Sequence, residues 1–244
     1  MKGCTARPGV LLCVVLAMVL VCRVGADECA RTYAVGQVGA AAPQIDGVLG
    51  EDEWPGERWE SGLIFPWRDE PAPETSFIVQ ADAAALYFAF WVADEDIVVV
   101  DGPPDDESLV ARGDRVELFL ARDEKLREYY SIEIDPQGRV LDYSARFYRH
   151  FDEGWDCPGL DVAARRRPGG YDVEGRLSRR ALESMGLTLS ADRRPMLAGV
   201  FRAEFSHRGG EAAHESWISW IRPWVPTPDF HVPSAFGCFR LPKE

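Results

Sequence analysis

Apolar and polar residues alternate with period two along most of this chain, the pattern of half-buried β-strands. Two neighbouring runs show it best. In residues 114–120, Val116, Leu118 and Leu120 share one face, and Arg115, Glu117 and Phe119 share the other. In residues 129–135, Tyr130, Ile132 and Ile134 oppose Tyr129, Ser131, Glu133 and Asp135. The same reading predicts strands at 61–65, 75–81, 86–93, 116–121, 129–135, 139–145, 160–166, 171–177, 197–205, 217–221 and 238–241. Turn residues separate them, as in Asp135-Pro136-Gln137-Gly138 and Pro168-Gly169-Gly170. Two short helical pieces are expected: a turn around 50–54, and a helix over 179–185 with Ser178 as its N-cap and Gly186 as its stop.

Many short strands at regular spacing, with no crossover helices between them, predict an all-β fold, an antiparallel β-sandwich or jelly roll. If the strands at 86–93, 116–121, 129–135, 171–177 and 197–205 formed one sheet, its outer face would gather Tyr87, Trp91, Glu117, Tyr129, Glu133, Glu174, Arg176 and Arg202. Carboxylates, a guanidinium and aromatic rings on one face suit a ligand with both polar edges and apolar patches, as sugars have. Taken singly, each charged residue is equally well explained as part of a solvated face with cross-strand ion pairs.

The first residues are of another kind. Lys2 and Arg7 precede an apolar run over 10–21, and Val24-Gly25-Ala26 supplies the small residues of a cleavage site. The run is short for a bilayer span. Residues 1–26 are therefore expected to be a signal peptide and 27–244 a single exported domain, secreted or periplasmic. Loss of Lys2, Arg7 and Arg23 takes the 27 basic residues to 24, against 40 acidic ones. So acidic a surface disfavours nucleic acid, whose phosphates are bound by Lys and Arg. Three cysteines remain, Cys29, Cys157 and Cys238; their spacing matches no zinc pattern, and their odd number leaves one thiol free or paired between chains, one bridge plus a buried thiol being the plainest arrangement, with the pairing open.

The order of several pieces resembles a known family. Ile45-Asp46-Gly47, Trp54, Asp82, Leu86-Tyr87-Phe88 and Asp94 lead to the 114–120 and 130–138 runs. The chain closes on Ser216-Trp217 and Phe230-His231-Val232-Pro233-Ser234-Ala235-Phe236-Gly237. This series, from about Tyr33 to Leu241, is similar to the family-9 carbohydrate-binding modules and their DOMON-related relatives. The resemblance implies a β-sandwich, often with calcium, that holds a glucan or xylan end between two tryptophan rings. It implies a hydroxyl-binding role for Glu117 and places Phe230 where one stacking tryptophan lies. Ala111 stands where the other would be, Ser131 where an arginine would be, and Glu133 where a side-chain amide would be. Trp224 or Trp220 is expected to supply a second ring, and Arg202 a hydroxyl donor. The expected site is thus Glu117, Phe230, Trp224 and Arg202, with a polysaccharide or its oligosaccharide products as ligand.

Other classes are weaker fits. A glycoside hydrolase needs two carboxylates about 5–10 Å apart across the substrate, for which Glu117 and Glu133 are the candidates, but no catalytic signature accompanies them. Haem ligation would draw on Met185 or Met196 with one of His150, His207, His214 and His231. Calcium would find oxygen-rich loops at Asp94-Glu95-Asp96 and at 101–107. The main rival is a structural or protein-interaction sandwich that has lost its sugar site.

Overall fold

The computed structural model describes residues 29–191, 194–207, 210 and 212–243; the expected signal peptide at 1–26 lies outside them. Two β-sheets pack face to face. The smaller has the order β2 (Gly36–Gln37), β3 (Thr75–Ala81), β4 (Ala85–Ala93), β10 (Gly170–Ser178), β9 (Leu160–Arg167). The larger runs β1 (Thr32–Ala34), β13 (Gly237–Arg240), β11 (Met196–Ser206), β5 (Arg115–Ala121), β6 (Tyr129–Ile134), β7 (Val140–Arg146), β8 (His150–Asp152). β12 (His214–Ser219) pairs with the C-terminal part of β11, beside the part held by β13.

Pairing is antiparallel except at two edges, β1 with β13 and β2 with β3. The β-sandwich expected from alternation is therefore present, with a slightly mixed character. The strand expected at 61–65 reduces to an isolated bridge between Ile64 and Ser219. α1 (Arg179–Ser184) begins at Ser178, whose Oγ accepts from the Ala181 N–H at 3.1 Å, and Gly186 leaves it with φ +70°.

Alternation dictates the layering. Val116, Leu118 and Leu120 of β5, Tyr130, Ile132 and Ile134 of β6, and Val200 of β11 face Phe77, Phe88, Phe90, Tyr171 and Val173 of the smaller sheet. Gly175 is required here, since a Cβ would stand 2.0 Å from the Phe88 ring. Both sheets are also covered on their outer faces. Phe119, Tyr129, Tyr143 and Phe201 of the larger sheet are roofed by Phe230, Val232 and Phe236 from the segment before β13. Ile78, Ala85, Tyr87 and Ala89 of the smaller one lie under Trp54 and the chain around it. A Cys29–Cys238 disulfide ties the start of the described chain to the last strand, and Cys157 is the free, half-buried thiol.

The eight residues grouped above on one face therefore divide. Tyr87, Trp91, Glu174 and Arg176 belong to the smaller sheet, Glu117, Tyr129 and Glu133 to the outside of the larger one, and Arg202 to the space between the two. Period-two alternation says which residues of a strand share a face, but not which strands share a sheet.

Candidate functional site

The register of β5 and β6 sets Glu117 directly opposite Glu133 on the outer face of the larger sheet. Arg115, two residues before Glu117 and so on the same face, reaches both. Its Nε–H donates to Glu133 Oε2 at 2.6 Å and lies 3.0 Å from Glu117 Oε1. Nε carries one hydrogen, and that hydrogen points at Glu133. Glu117 Oε1 is left with charge attraction and no hydrogen bond although it is buried. Glu133 Oε1 accepts from the Ser131 hydroxyl at 3.1 Å and from the Tyr143 hydroxyl at 3.0 Å.

The charges of this cluster do not balance. Burial, then the charge of Glu133, push the Glu117 carboxyl up to about 8, against the opposing pull of Arg115. Burial works against the Arg115 charge too, but Glu117 and Glu133 outweigh it and raise its pKa. Glu215 on β12 is also raised, by partial burial of its carboxyl and by Glu133, against the pull of Arg115. An acceptor oxygen without a donor and a carboxyl that favours its proton mark a group able to take a polar ligand.

One aromatic ring borders the cluster. Trp217 of β12 is half-buried, with the Arg115 guanidinium 5.4 Å from its centroid and the Phe230 ring edge-on at 5.5 Å. Ala111 is exposed just before β5, and its carbonyl lies 3.5 Å from Arg115 Nη1. The position where the family resemblance expects a stacking tryptophan thus adjoins the cluster.

The expected site residues do not all meet here. Glu117 does. Phe230 lies on the same side, but it is buried, stacked on Phe201 at 4.0 Å with the planes 11° apart, so it roofs the sheet rather than offering an open platform. Trp224 is 87% exposed and lines a cavity away from the cluster, and Trp220 packs in the core between the sheets. Arg202 is the clearest correction. It alternates with Phe201, so it points inward, and it is wholly buried. Its Nη1 donates to Thr75 Oγ1 at 3.1 Å and Ala93 O at 3.0 Å, and its Nη2 to Asp94 Oδ2 at 3.1 Å and to Glu204 Oε2. A charged residue is expected to face outward, but four acceptors between the sheets hold this one inside. Arg115, not Arg202, is the guanidinium beside Glu117. Arg115 and Trp217 were both legible from strand parity, since each alternates with a core residue, Val116 and Ile218.

Two carboxylate trios stand elsewhere, and each contains an acid from a loop expected to bind calcium. In Asp94, Asp114 and Glu204 the cation is already Arg202. Both oxygens of Asp114 are taken by backbone N–H groups, of Val98 at 2.5 Å and Phe205 at 2.7 Å. Burial and the nearby Asp94 charge push the Asp114 carboxyl up to about 8. Glu107, Asp142 and Asp156 have no cation among the described residues, and Asp142 Oδ2 accepts only from the Cys157 N–H at 2.9 Å. Burial, Glu107 and Asp156 push Asp142 up to about 6. For haem, Met185 and Met196 are both core residues, and His150 and His214 are exposed.

The model of the "Carbohydrate family 9 binding domain-like" family matches residues 45–244. Among solved structures, a candidate carbohydrate-binding protein from Bacteroides uniformis aligns with a TM-score of 0.66 at 16% identity, over 87% of this chain and 99% of that one. A family-9 carbohydrate-binding module from Caldicellulosiruptor kristjanssonii in complex with glucose aligns with a TM-score of 0.54 at 16% identity, over 88% and 97%. The same organism's module in complex with cellotriose aligns at 0.53 and 18% identity, over 88% and 95%. At these identities the likeness establishes the shared fold. A search of curated proteins finds no match.

Proposed function

Because the chain belongs to the carbohydrate family 9 binding domain-like family, we propose that it is an exported, non-catalytic module that binds a polysaccharide or its oligosaccharide products on the outer face of the larger sheet. The observation that carries this reading is the buried, unpartnered Glu117 Oε1 beside Arg115 and the half-exposed Trp217. In it, Glu117 accepts from a sugar hydroxyl, and the Nη2 hydrogens of Arg115 donate to a neighbouring one, Nη1 being turned to the Ala111 and Gly113 carbonyls. Trp217 offers indole surface to the C–H-rich face of a pyranose. The glucose and cellotriose complexes of the Caldicellulosiruptor module support the ligand class.

One ring and a few hydrogen bonds supply about 4–7 kcal/mol, a dissociation constant from about millimolar to about ten micromolar. A non-catalytic role agrees with the placing of Glu117 and Glu133 side by side on one buried face, sharing Arg115, rather than across an open cleft. Export agrees with the Cys29–Cys238 disulfide. Crystals soaked with cello- and xylo-oligosaccharides test the site: a pyranose against Trp217 with a hydroxyl on Glu117 is expected, and a sugar bound elsewhere would refute the assignment.

The rival reading, a sandwich whose sugar site has closed, is favoured by the burial of Phe230 on Phe201. It predicts no response to any neutral glycan. For calcium, implied by the family resemblance, Glu107, Asp142 and Asp156 are the residues we propose, because their carboxylates repel one another with no cation between them. Millimolar calcium should then raise the melting temperature and EDTA lower it, with the response lost in Asp142→Asn; an unchanged response in that variant would contradict this choice.

A further inference from the structure

A cavity of about 370 Å³ opens where β5 leaves the sheet, between the β5–β6 turn and the start of β11. It is bordered by Trp224, Phe236, Arg122, Lys125, Arg127 and Arg194, with the Cys29–Cys238 disulfide in its wall. Arg122 lies five residues beyond Glu117, roughly 16 Å further along the strand direction at about 3.3 Å per residue. This cavity is separate from the Glu117 cluster and shares no residue with it.

Three features set it apart from the rest of the surface. Trp224 is 87% exposed, far more than any other large apolar side chain among the described residues. Its backbone is nevertheless fixed, the N–H donating to Ser234 Oγ at 3.0 Å. An exposed indole on an anchored backbone is a ready stacking surface of the kind that binds flat rings at low entropic cost.

The charge of the wall is also reversed. The whole chain carries 40 acidic and 27 basic residues, yet the cavity is lined by four cations against Asp123 and Glu124. Arg127 pairs with Asp123, and Arg122 with Glu128. Lys125 and Arg194 have no side-chain partner among the described residues, so two cations face the cavity against the single unpaired acid, Glu124.

The turn that presents Lys125 is held in place. Leu126 is wholly buried with φ +49°, its N–H donates to Asp123 O at 3.0 Å, and its carbonyl accepts from the Phe147 N–H at 2.8 Å. The Lys125 N–H donates to Asp123 Oδ1 at 3.0 Å.

A cavity of this size suits one or two sugar rings. Its chemistry is an aromatic face beside unpaired cations, which complements an anionic pyranose better than a neutral one. A guanidinium matches a carboxylate through two parallel N–H···O bonds. We propose that the Trp224 cavity is a second carbohydrate site, selective for a uronic acid residue. In it Trp224 stacks on the pyranose, and Arg194 with Lys125 holds the sugar carboxylate. The site does not depend on the neutral-sugar reading of the Glu117 face.

Calorimetric titration of residues 27–244 with trigalacturonic acid tests this, with cellotriose as the uncharged control. Trigalacturonate should bind, and its affinity should fall at least tenfold in Trp224→Ala and again in the Lys125→Glu/Arg194→Glu double variant. It should also fall as NaCl rises from 50 to 500 mM, while Trp217→Ala leaves it unchanged. Since these side chains are at the surface, the variants should keep the wild-type far-ultraviolet circular dichroism and melting temperature, which separates loss of binding from loss of fold. No binding of trigalacturonate by the wild type, or undiminished binding by folded Trp224→Ala, would overturn the proposal. A sulfated oligosaccharide binding more tightly than trigalacturonate would overturn the assignment to carboxylate.

Discussion

Glu117 and Glu174 occupy similar places, each on the covered outer face of one of the two sheets, each with a tryptophan nearby. Their oxygens differ. Glu174 Oε1 accepts from Trp54 Nε1 at 2.6 Å, and Oε2 accepts from the Gly47 N–H at 2.6 Å and the Asp46 N–H at 3.2 Å. Three donors hold the 46–54 segment against the smaller sheet, and nothing is left over for a ligand. Glu117 has one cation at 3.0 Å, no hydrogen bond to Oε1, and a carboxyl raised to about 8. A fully bonded buried carboxylate builds the fold; one short of donors leaves bonding capacity for something else.

The largest effect should come from the structural member of the pair. Glu174→Ala leaves three donors, two of them buried, without an acceptor and should cost about 3 kcal/mol in urea unfolding, with neutral-sugar affinity unchanged while the protein is folded. A cost below about 1 kcal/mol would show that the 46–54 segment is held by packing alone.

Glu117→Gln should act in the opposite direction. Burial raises the folded-state pKa of Glu117 above its unfolded value of 4.5, so the folded protein retains a proton that the unfolded chain has lost. Its contribution is fully present below pH 4.5 and is lost as pH rises toward about 8. The wild type should therefore lose stability over that interval, and Glu117→Gln should lose less and be the more stable by about 1 kcal/mol at pH 9. Parallel pH profiles for the two proteins would contradict the account of Glu117 as a strained group.

The smallest effect is a gain. Ala111→Trp puts a ring beside Arg115 and should improve sugar affinity by up to about 1 kcal/mol, roughly fivefold. Unchanged affinity would show that Trp217 is not matched by a ring position across the cluster.

Much of this architecture could be read from alternation, because each strand must bury one side and the side-chain period is fixed. Thr75–Ala81 appears with its predicted bounds, and most other strands differ by one or two residues at an end. The very short β1, β2 and β8 carried too few residues to show a period. The site was less legible, for three physical reasons. Alternation is blind to which face is inward, so it does not reveal that four acceptors hold Arg202 between the sheets. Sheet membership is non-local, so Glu174 and Glu117 were placed on one surface. Roofing is set by a loop without periodicity, so nothing in the 222–236 segment foretold that Phe230 would be sealed against Phe201 while Trp224 stood clear. The Cys29–Cys238 pairing was equally non-local; it becomes evident only when β1 lies parallel to β13, with Thr32 opposite Cys238.

The central claim is that the outer face of the larger sheet binds a neutral sugar through Trp217 and Glu117. Calorimetric titration of cellotriose and xylotriose into residues 27–244, beside Trp217→Ala and Trp224→Ala, tests it most directly. The account predicts a dissociation constant between about millimolar and about ten micromolar for at least one of them, weakened tenfold or more by Trp217→Ala and untouched by Trp224→Ala. Flat titrations with both sugars, or equal affinity in wild type and Trp217→Ala, would contradict it.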